Sequence, residues 1–404
     1  MLDCERTSVL STHTGRGLTL TAPASAPARR QGTGNTTPVA PRAFRIGTQS
    51  HEEINYDQSA ATTTSTQDLP VLNIPPAGFL RGIYVIVTGT TSGNAANTTF
   101  AANGPYNVID TIVLEDVNSA PIIGPFDGWD LHVINKYGGY STNDDSKNSP
   151  VYTATTGTGG TGGSFRFIDR LPVEIVSRDA LGALPNKSGT AMFKVRIRLA
   201  ATATIYGTPP TAAPTVRIRM QQVDWWDPDP TDMRGRPLAQ NPPAVQTTQF
   251  WSKTTYTLAA GSVRQQLERV GNLIRNIIFS LIDSNSSRSQ GDSDFPDPFT
   301  LQFEANVLFT RYVELWRDMI AKDYGYSGST ADAANSRDNG VYPLPFCQDF
   351  GFKPGAETRR GYLPTSAASR VEVQGTIGGS GTHTLTVYTN DVAPSNGDDA
   401  SLTV

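Results

Sequence analysis

The chain has 404 residues, a formal net charge of −4 and two cysteines, Cys4 and Cys347. That length suits one large domain or two ordinary ones with a sizeable core, so no metal or disulfide is needed to hold it, and two free thiols are expected. The mild acidity argues against a polyanion-binding molecule; charged residues make up only 17%, below the roughly 25% of an average domain, and 37 Gly and 28 Pro spread along the chain suit many short strands joined by turns.

Residues 1–45 stand apart. They are rich in Pro, Ala, Thr and Gly, and six arginines against Asp3 and Glu5 give this segment +4 and leave the rest at −8. Such a segment cannot bury enough surface to fold alone, and it reads either as a tail or as a basic arm that orders against a neighbour or an anionic surface. "MLDCERTSVL" lacks the apolar core of a signal peptide, and no run approaches about 18 apolar residues, so a soluble, cytosolically made chain is expected.

From about Gln67 the pattern becomes β. Ile83–Val87 reads as a buried strand, and 106–116 as the next. A helix is predicted over about 127–137, with Asp127 as N-cap and Gly138 as stop. A polar loop (141–164) precedes strands at 165–177, 192–200 and 215–226; Phe193, Val195, Ile197 and Leu199 alternate with Lys194, Arg196 and Arg198, which makes a sheet with one wet face. Residues 227–246 hold five prolines and read as a linker. Beyond it come a strand at 250–258, helical spacing in Val263, Leu267 and Val270, and a stretch at 273–282 that suits strand or helix. A polar loop (283–297), one strand over 299–309, a second helix over about 311–324, and strands near 341–346, 370–377 and 383–389 complete the chain.

The two helices repeat each other. Trp129, Val133 and Tyr137 stand four apart before Gly138; Trp316, Ile320 and Tyr324 do the same before Gly325. Residues so spaced form one stripe, which is read as core that anchors each helix across the end of a β-sandwich. "LRGIYVIV" (80–87) also overlies "IRNIIFSL" (274–281), with Arg81 on Arg275, which makes 273–282 a strand. A unit of about 190 residues is too long for a solenoid repeat, so two copies of a whole β-domain are expected.

With "GFLRGIYVIVTG", "GPYNVIDTIVLED", "GWDLHVINKYGG", "DALGALPNKSGTAMFKVRIRLA", "NLIRNIIFSLIDS" and "DNGVYPLPFC" in this order, the chain resembles the double jelly-roll major capsid proteins of the tectivirus type, from tailless icosahedral viruses with an internal membrane. The resemblance is scattered over about 75–390. It implies an all-β fold of two tandem eight-stranded antiparallel jelly rolls, each with a short helix after a mid-roll strand. The parts are then an arm (1–45), a first roll (46–230), a Pro-rich linker (231–247), a second roll (248–392) and a tail (393–404). It further implies pseudo-hexagonal homotrimers that tile a virion shell, made in the host cytoplasm, with neighbouring trimers, penton or minor capsid proteins and anionic lipid as partners. Arg29, Arg30, Arg42 and Arg45 would face inward, and the polar loops at 141–164 and 284–297 would stand outermost. The arm departs from the helical arm of that family by its Pro and Gly content.

Chemistry finds little support. None of His13, His51, His132 and His383 has a second His or Cys at ligand spacing, and His132, off the helix stripe, is expected at the surface. "GTGGTGGS" lacks the Gly-Lys-Ser/Thr of a phosphate loop. Asp292, Asp294 and Asp297 read as a solvated acidic loop. No catalytic residue, metal or cofactor is expected, nor sequence-specific nucleic-acid binding. The rival readings are a viral spike or jelly-roll carbohydrate-binding module, and a secreted hydrolase. Trp225-Trp226 and Phe250-Trp251, beside the linker, are expected to pack between the rolls.

Overall fold

The computed structural model describes residues 44–91, 98–101, 103–140, 163–177, 180–228, 231, 248–286, 288–324, 339–346 and 361–393. The first half is built from β1 (Ser50–Ala61), the short β2 (Gln67–Asp68) and β3 (Leu72–Asn73), β4 (Gly78–Thr90), β5 (Ile109–Glu115) and β6 (Pro121–Phe126). Helix α1 (Gly128–Tyr137), β7 (Phe165–Pro172), β8 (Lys194–Leu199) and β9 (Thr215–Trp225) follow. One antiparallel sheet has the order β1-β9-β4-β7; the other runs β2/β3-β8-β5-β6. First and last strands are neighbours and the chain alternates between sheets, which is the jelly-roll order. Alternation positions the residues: Val195, Ile197 and Leu199 of β8 are buried, while Arg196 and Arg198 turn out to meet Glu115 and Asp110.

The second half repeats this order with fewer, longer strands. It comprises β10 (Thr248–Gln266), β11 (Leu273–Ile282), α2 (Arg288–Ser293), β12 (Phe299–Phe303), β13 (Asn306–Arg311), α3 (Val313–Tyr324), β14 (Val341–Pro345) and β15 (Val371–Ala393). Strands β10 and β15 pair with each other through both sheets, Thr248–Ala259 on Thr382–Ala393 and Gly261–Gln266 on Glu372–Ile377. The first half of β10 begins the order β10-β15-β11-β14, and its second half begins β10-β15-β12-β13. The pair turns the corner at Gly261, Gly379 and Gly381, with φ of 111°, 68° and 84°. Side chains other than Gly rarely adopt such φ values, and a Cβ at Gly379 would collide with the Asp294 carboxylate.

Four expectations are corrected. Residues 299–309 are a hairpin, not one strand, because Glu304 turns the chain at φ 55°. The helical spacing from Val263 is overridden: Gly261–Gln266 take the ladder offered by β15. Strands expected at 370–377 and 383–389 are one, β15. The loop 283–297 contains α2.

The rolls share one continuous hydrophobic core. They also meet edge to edge, where β6 and β10 join by a single parallel bridge, Ile123 to Trp251. A separate small cluster of Phe44, Phe79, Ala180, Ala183 and Trp225 closes one end of the first roll.

Candidate functional site: the seam between the rolls

The most elaborate polar construction of the described residues lies where the second roll covers α1. The helix starts in a capping box: Asp127 accepts from the Asp130 N–H at 2.8 Å, and Asp130 accepts from the Asp127 N–H at 3.1 Å. It is buried on every side, all ten residues of it, not only along its apolar stripe. Its own roll takes one side. Asn135 donates to the Arg170 carbonyl and accepts from the Arg170 N–H, both at 2.9 Å, so its amide continues the β7 ladder. His132, expected at the surface, is stacked on Tyr106 with ring centres 3.9 Å apart. Asp169 Oδ1 lies 3.8 Å from its Nδ1, so the groups that bury it include Tyr106 and Asp169 of its own roll.

The second roll closes over the helix through polar groups. Asp130 accepts from the Tyr388 hydroxyl and from Lys253 Nζ, each at 2.6 Å. Burial and the Asp130 charge push the Asp127 carboxyl up to about 6. Burial alone would lower Lys253, but Asp130 and Asp127 outweigh it and hold the ammonium above its ordinary value. Burial, reinforced by Asp130 and Asp127, drives the Tyr388 hydroxyl well above its ordinary range. At the other end of α1, the Tyr137 carbonyl has no partner inside the helix. It accepts from Asn276 Nδ2 at 3.0 Å and Tyr324 OH at 3.1 Å, both from the second roll. Arg288 lies over the Trp129 ring at 4.4 Å.

A third group completes the seam. Arg275 Nη1 donates to Asn390 Oδ1 at 2.8 Å and to Tyr140 OH at 3.0 Å. Gln249 Oε1 accepts from Tyr140 OH and Asn390 Nδ2, and Gln249 Nε2 donates to the carbonyls of Pro172, Val173 and Glu174. These groups sit among apolar neighbours, where breaking one member of a buried charged pair costs about 3–5 kcal/mol. The seam therefore holds two sandwiches in one geometry; no two of its groups form a nucleophile and base around an open cleft.

All six stripe residues are buried, but not alike. Trp316 sits among Phe279, Phe295, Phe299, Phe309 and Tyr342, and its indole N–H donates to the Pro343 carbonyl at 2.8 Å. Val133 and Ile320 are core, and Tyr137 and Tyr324 meet edge to face at 5.5 Å. Arg29, Arg30 and Arg42 lie outside the described residues, as does the side chain of Arg45; the backbone of Arg45 lies in the turn Phe44–Gly47. The loops at 141–162 and 325–338 also lie outside them.

Two further expectations hold only in part. Of the acidic loop, Asp297 is exposed and accepts from the Val313 N–H at the start of α3, but Asp294 is buried against His383 Nε2 at 2.9 Å and half-buried Asp292 accepts from the Gly340 N–H and Tyr342 OH. Trp251 does lie on the seam, but Trp225 packs inside the first roll, donating to Glu174 at 2.6 Å beneath Arg81, and Trp226 is 53% exposed. Sequence reasoning missed Asp130, Lys253, Gln249, Asn276, Tyr388 and Asn390 as a group. The available signal was polar residues within an otherwise apolar run, as in "LIRNIIFSL", which is buried throughout. Among the described residues no three His, Cys, Asp or Glu gather as a metal site, and no helix is long and apolar enough to cross a membrane.

No protein-family model and no curated protein sequence matches the chain. Solved structures do. The major capsid protein of STIV superposes with a TM-score of 0.57 at 13% identity, covering 86% of this chain and 97% of that one. A chain from the atomic structure of Sulfolobus Turreted Icosahedral Virus gives 0.58 at 13%, covering 88% and 96%. PBCV-1 VP54, fitted into a reconstruction of the virophage Sputnik, gives 0.51 at 11%, covering 85% and 94%. At these identities the likeness is one of fold, and the fold is the double jelly roll.

Proposed function

We propose that this chain is a major capsid protein that assembles as pseudo-hexagonal homotrimers and tiles an icosahedral viral shell, with an internal lipid membrane beneath it. The observation that carries the reading is the repetition of one strand order and one helix position in two rolls welded by a buried seam. Three such chains present six similar sandwiches, and a threefold object of that outline fills a near-sixfold site in a shell. The likeness to capsid proteins over nearly their whole length supports it.

In this reading residues 46–230 and 248–392 are the rolls, 231–247 the linker and 393–404 a tail. The six helix-stripe residues anchor the helices, and the role is structural rather than catalytic. The arm, 1–45, with Arg29, Arg30, Arg42 and Arg45, faces inward, where anionic lipid contributes about 1 kcal/mol per basic residue. Neighbouring trimers and penton or minor capsid proteins are the other partners, and the destination is the virion.

Negative-stain microscopy of the purified chain tests this. Compact particles with a six-lobed outline are expected; monomers or elongated three-bladed particles would sink the reading. Deleting residues 1–45 is expected to leave a folded trimer that no longer closes shells, and an unchanged shell yield would make the arm a passive tail.

A further inference from the structure

The seam gathers an amine, a phenol and two carboxyls at the start of α1. Lys253 and Tyr388 are cross-strand partners on β10 and β15, so their side chains leave the sheet on one face. That face meets the capping box, which fixes Asp127 and Asp130 against each other. At the matching places of α3 stand Glu314 and Arg317, so the group belongs to the seam and not to the helix repeat.

The Asp130 carboxyl is held by three donors. Oδ2 accepts from Lys253 Nζ at 2.6 Å and from the Asp127 N–H at 3.1 Å, and Oδ1 accepts from Tyr388 OH at 2.6 Å. Asp127 Oδ2 stands 4.0 Å from the same Nζ. The Asp130 side chain is 2% exposed, whereas that of Lys253 is 31% exposed and leaves a way out to solvent. Groups held against each other by rigid elements react as if at about 100,000 M or more. Joining this amine to this acid also erases a buried ion pair, and with it the cost of keeping both charges out of water.

We propose that Lys253 Nζ and Asp130 Cγ join in an isopeptide bond that crosslinks the second roll to helix α1 of the first, made by the folded chain itself with loss of one water. The resting pair is ammonium and carboxylate, and one proton first passes from Nζ to Oδ2 along their hydrogen bond. The neutral amine then attacks Cγ, the C–N bond forms, and Tyr388 OH stabilises the negative charge on Oδ1. Asp127 takes a proton from the nitrogen and delivers it to Oδ2. The Cγ–Oδ2 bond breaks, Oδ2 leaves as water, and Asp127 ends as it began.

The electrostatics of the group suit these roles. Burial and the Asp130 charge raise the Asp127 carboxyl to about 6, where it exchanges protons near neutral pH. Tyr388, driven well above its ordinary range chiefly by burial, stays protonated and keeps donating. Against the pull of burial, Asp130 and Asp127 keep Lys253 charged, so the neutral pair is a minor form and the bond forms slowly, once per chain.

Intact-mass spectrometry of the purified full chain tests this, after incubation until the mass stops changing. The wild type is expected to be one water lighter than its sequence, and trypsin is expected to release a branched peptide joining the segments around Asp130 and Lys253. Lys253→Met and Asp130→Ala are expected at full mass. Asp127→Asn keeps a good N-cap but loses the carboxyl that moves the proton, and is expected to crosslink about 100-fold more slowly. A wild type at full mass would overturn the crosslink, whether or not the variants fold. So would a deficit that persists in Lys253→Met, since the water would then have left elsewhere in the chain. Crosslinking of Asp127→Asn at the wild-type rate would overturn the proton relay. Monomer and trimer serve alike, so the result is independent of the capsid reading.

Discussion

Helices α1 and α3 carry the same stripe and are held differently. Helix α1 is buried throughout, between its own roll and the second, and its Trp129 indole N–H finds no hydrogen-bond partner among the described residues. Helix α3 buries only Trp316, Ile320 and Tyr324, yet Trp316 is packed into an aromatic cluster and hydrogen-bonded. A repeated local pattern therefore specifies the element and not its surroundings. Trp316 holds a helix to its own roll; Trp129 lies where two rolls meet, under Arg288.

The largest effect that separates them is expected from the tryptophans. Trp316→Ala should cost about 4–5 kcal/mol and Trp129→Ala about 3, read from denaturant melts, since only the first loses a ring cluster and a hydrogen bond with its volume. Equal costs would erase the contrast. The charged positions come next. Asp130→Ala strands Lys253 and should cost about 3–4 kcal/mol. The matching change on α3, Arg317→Ala, removes a less buried partner of Asp292 and should cost about 1–2 kcal/mol. A larger loss at Arg317 than at Asp130 would place the polar weight outside the seam.

A smaller effect separates the rolls at another matched pair, Asp224 and Asp391. Asp391 receives Arg269 at 2.8 and 3.0 Å. Asp224 has no such cation bonded to it, and burial pushes its carboxyl up to about 7, against weaker pulls from Gln222 and Arg81. A raised acid favours the fold while protonated, so its stabilisation is fullest below the unfolded value of about 4 and is lost as pH rises to about 7. Asp224→Asn should therefore raise stability by about 2 kcal/mol at pH 8 and change it little at pH 4. Asp391→Asn should lower it at pH 8 by a similar amount. Melts of both variants across that range check the sign, and a flat difference for Asp224→Asn would contradict it.

Much of the architecture was legible because it is written in periods. Alternation in "KVRIRL" exposed the arginines of β8, and the stripe before Gly138 located α1 to within a residue of its start. The copy of Arg81 at Arg275 decided that 273–282 is a strand where period could not. The hairpin at Glu304 was illegible because one residue at positive φ reverses a run whose apolar content continues through it.

Two like β-units with a helix in each are written in the order of residues, because local spacing is repeated chemistry. Which polar residues are buried depends instead on how the two rolls pack. Lys253, Asp130, Tyr388 and Gln249 read as ordinary wet-face residues in their own strands and helix. They become a seam only because the second roll lies over α1, and burial depends on what the rest of the chain brings to the other side.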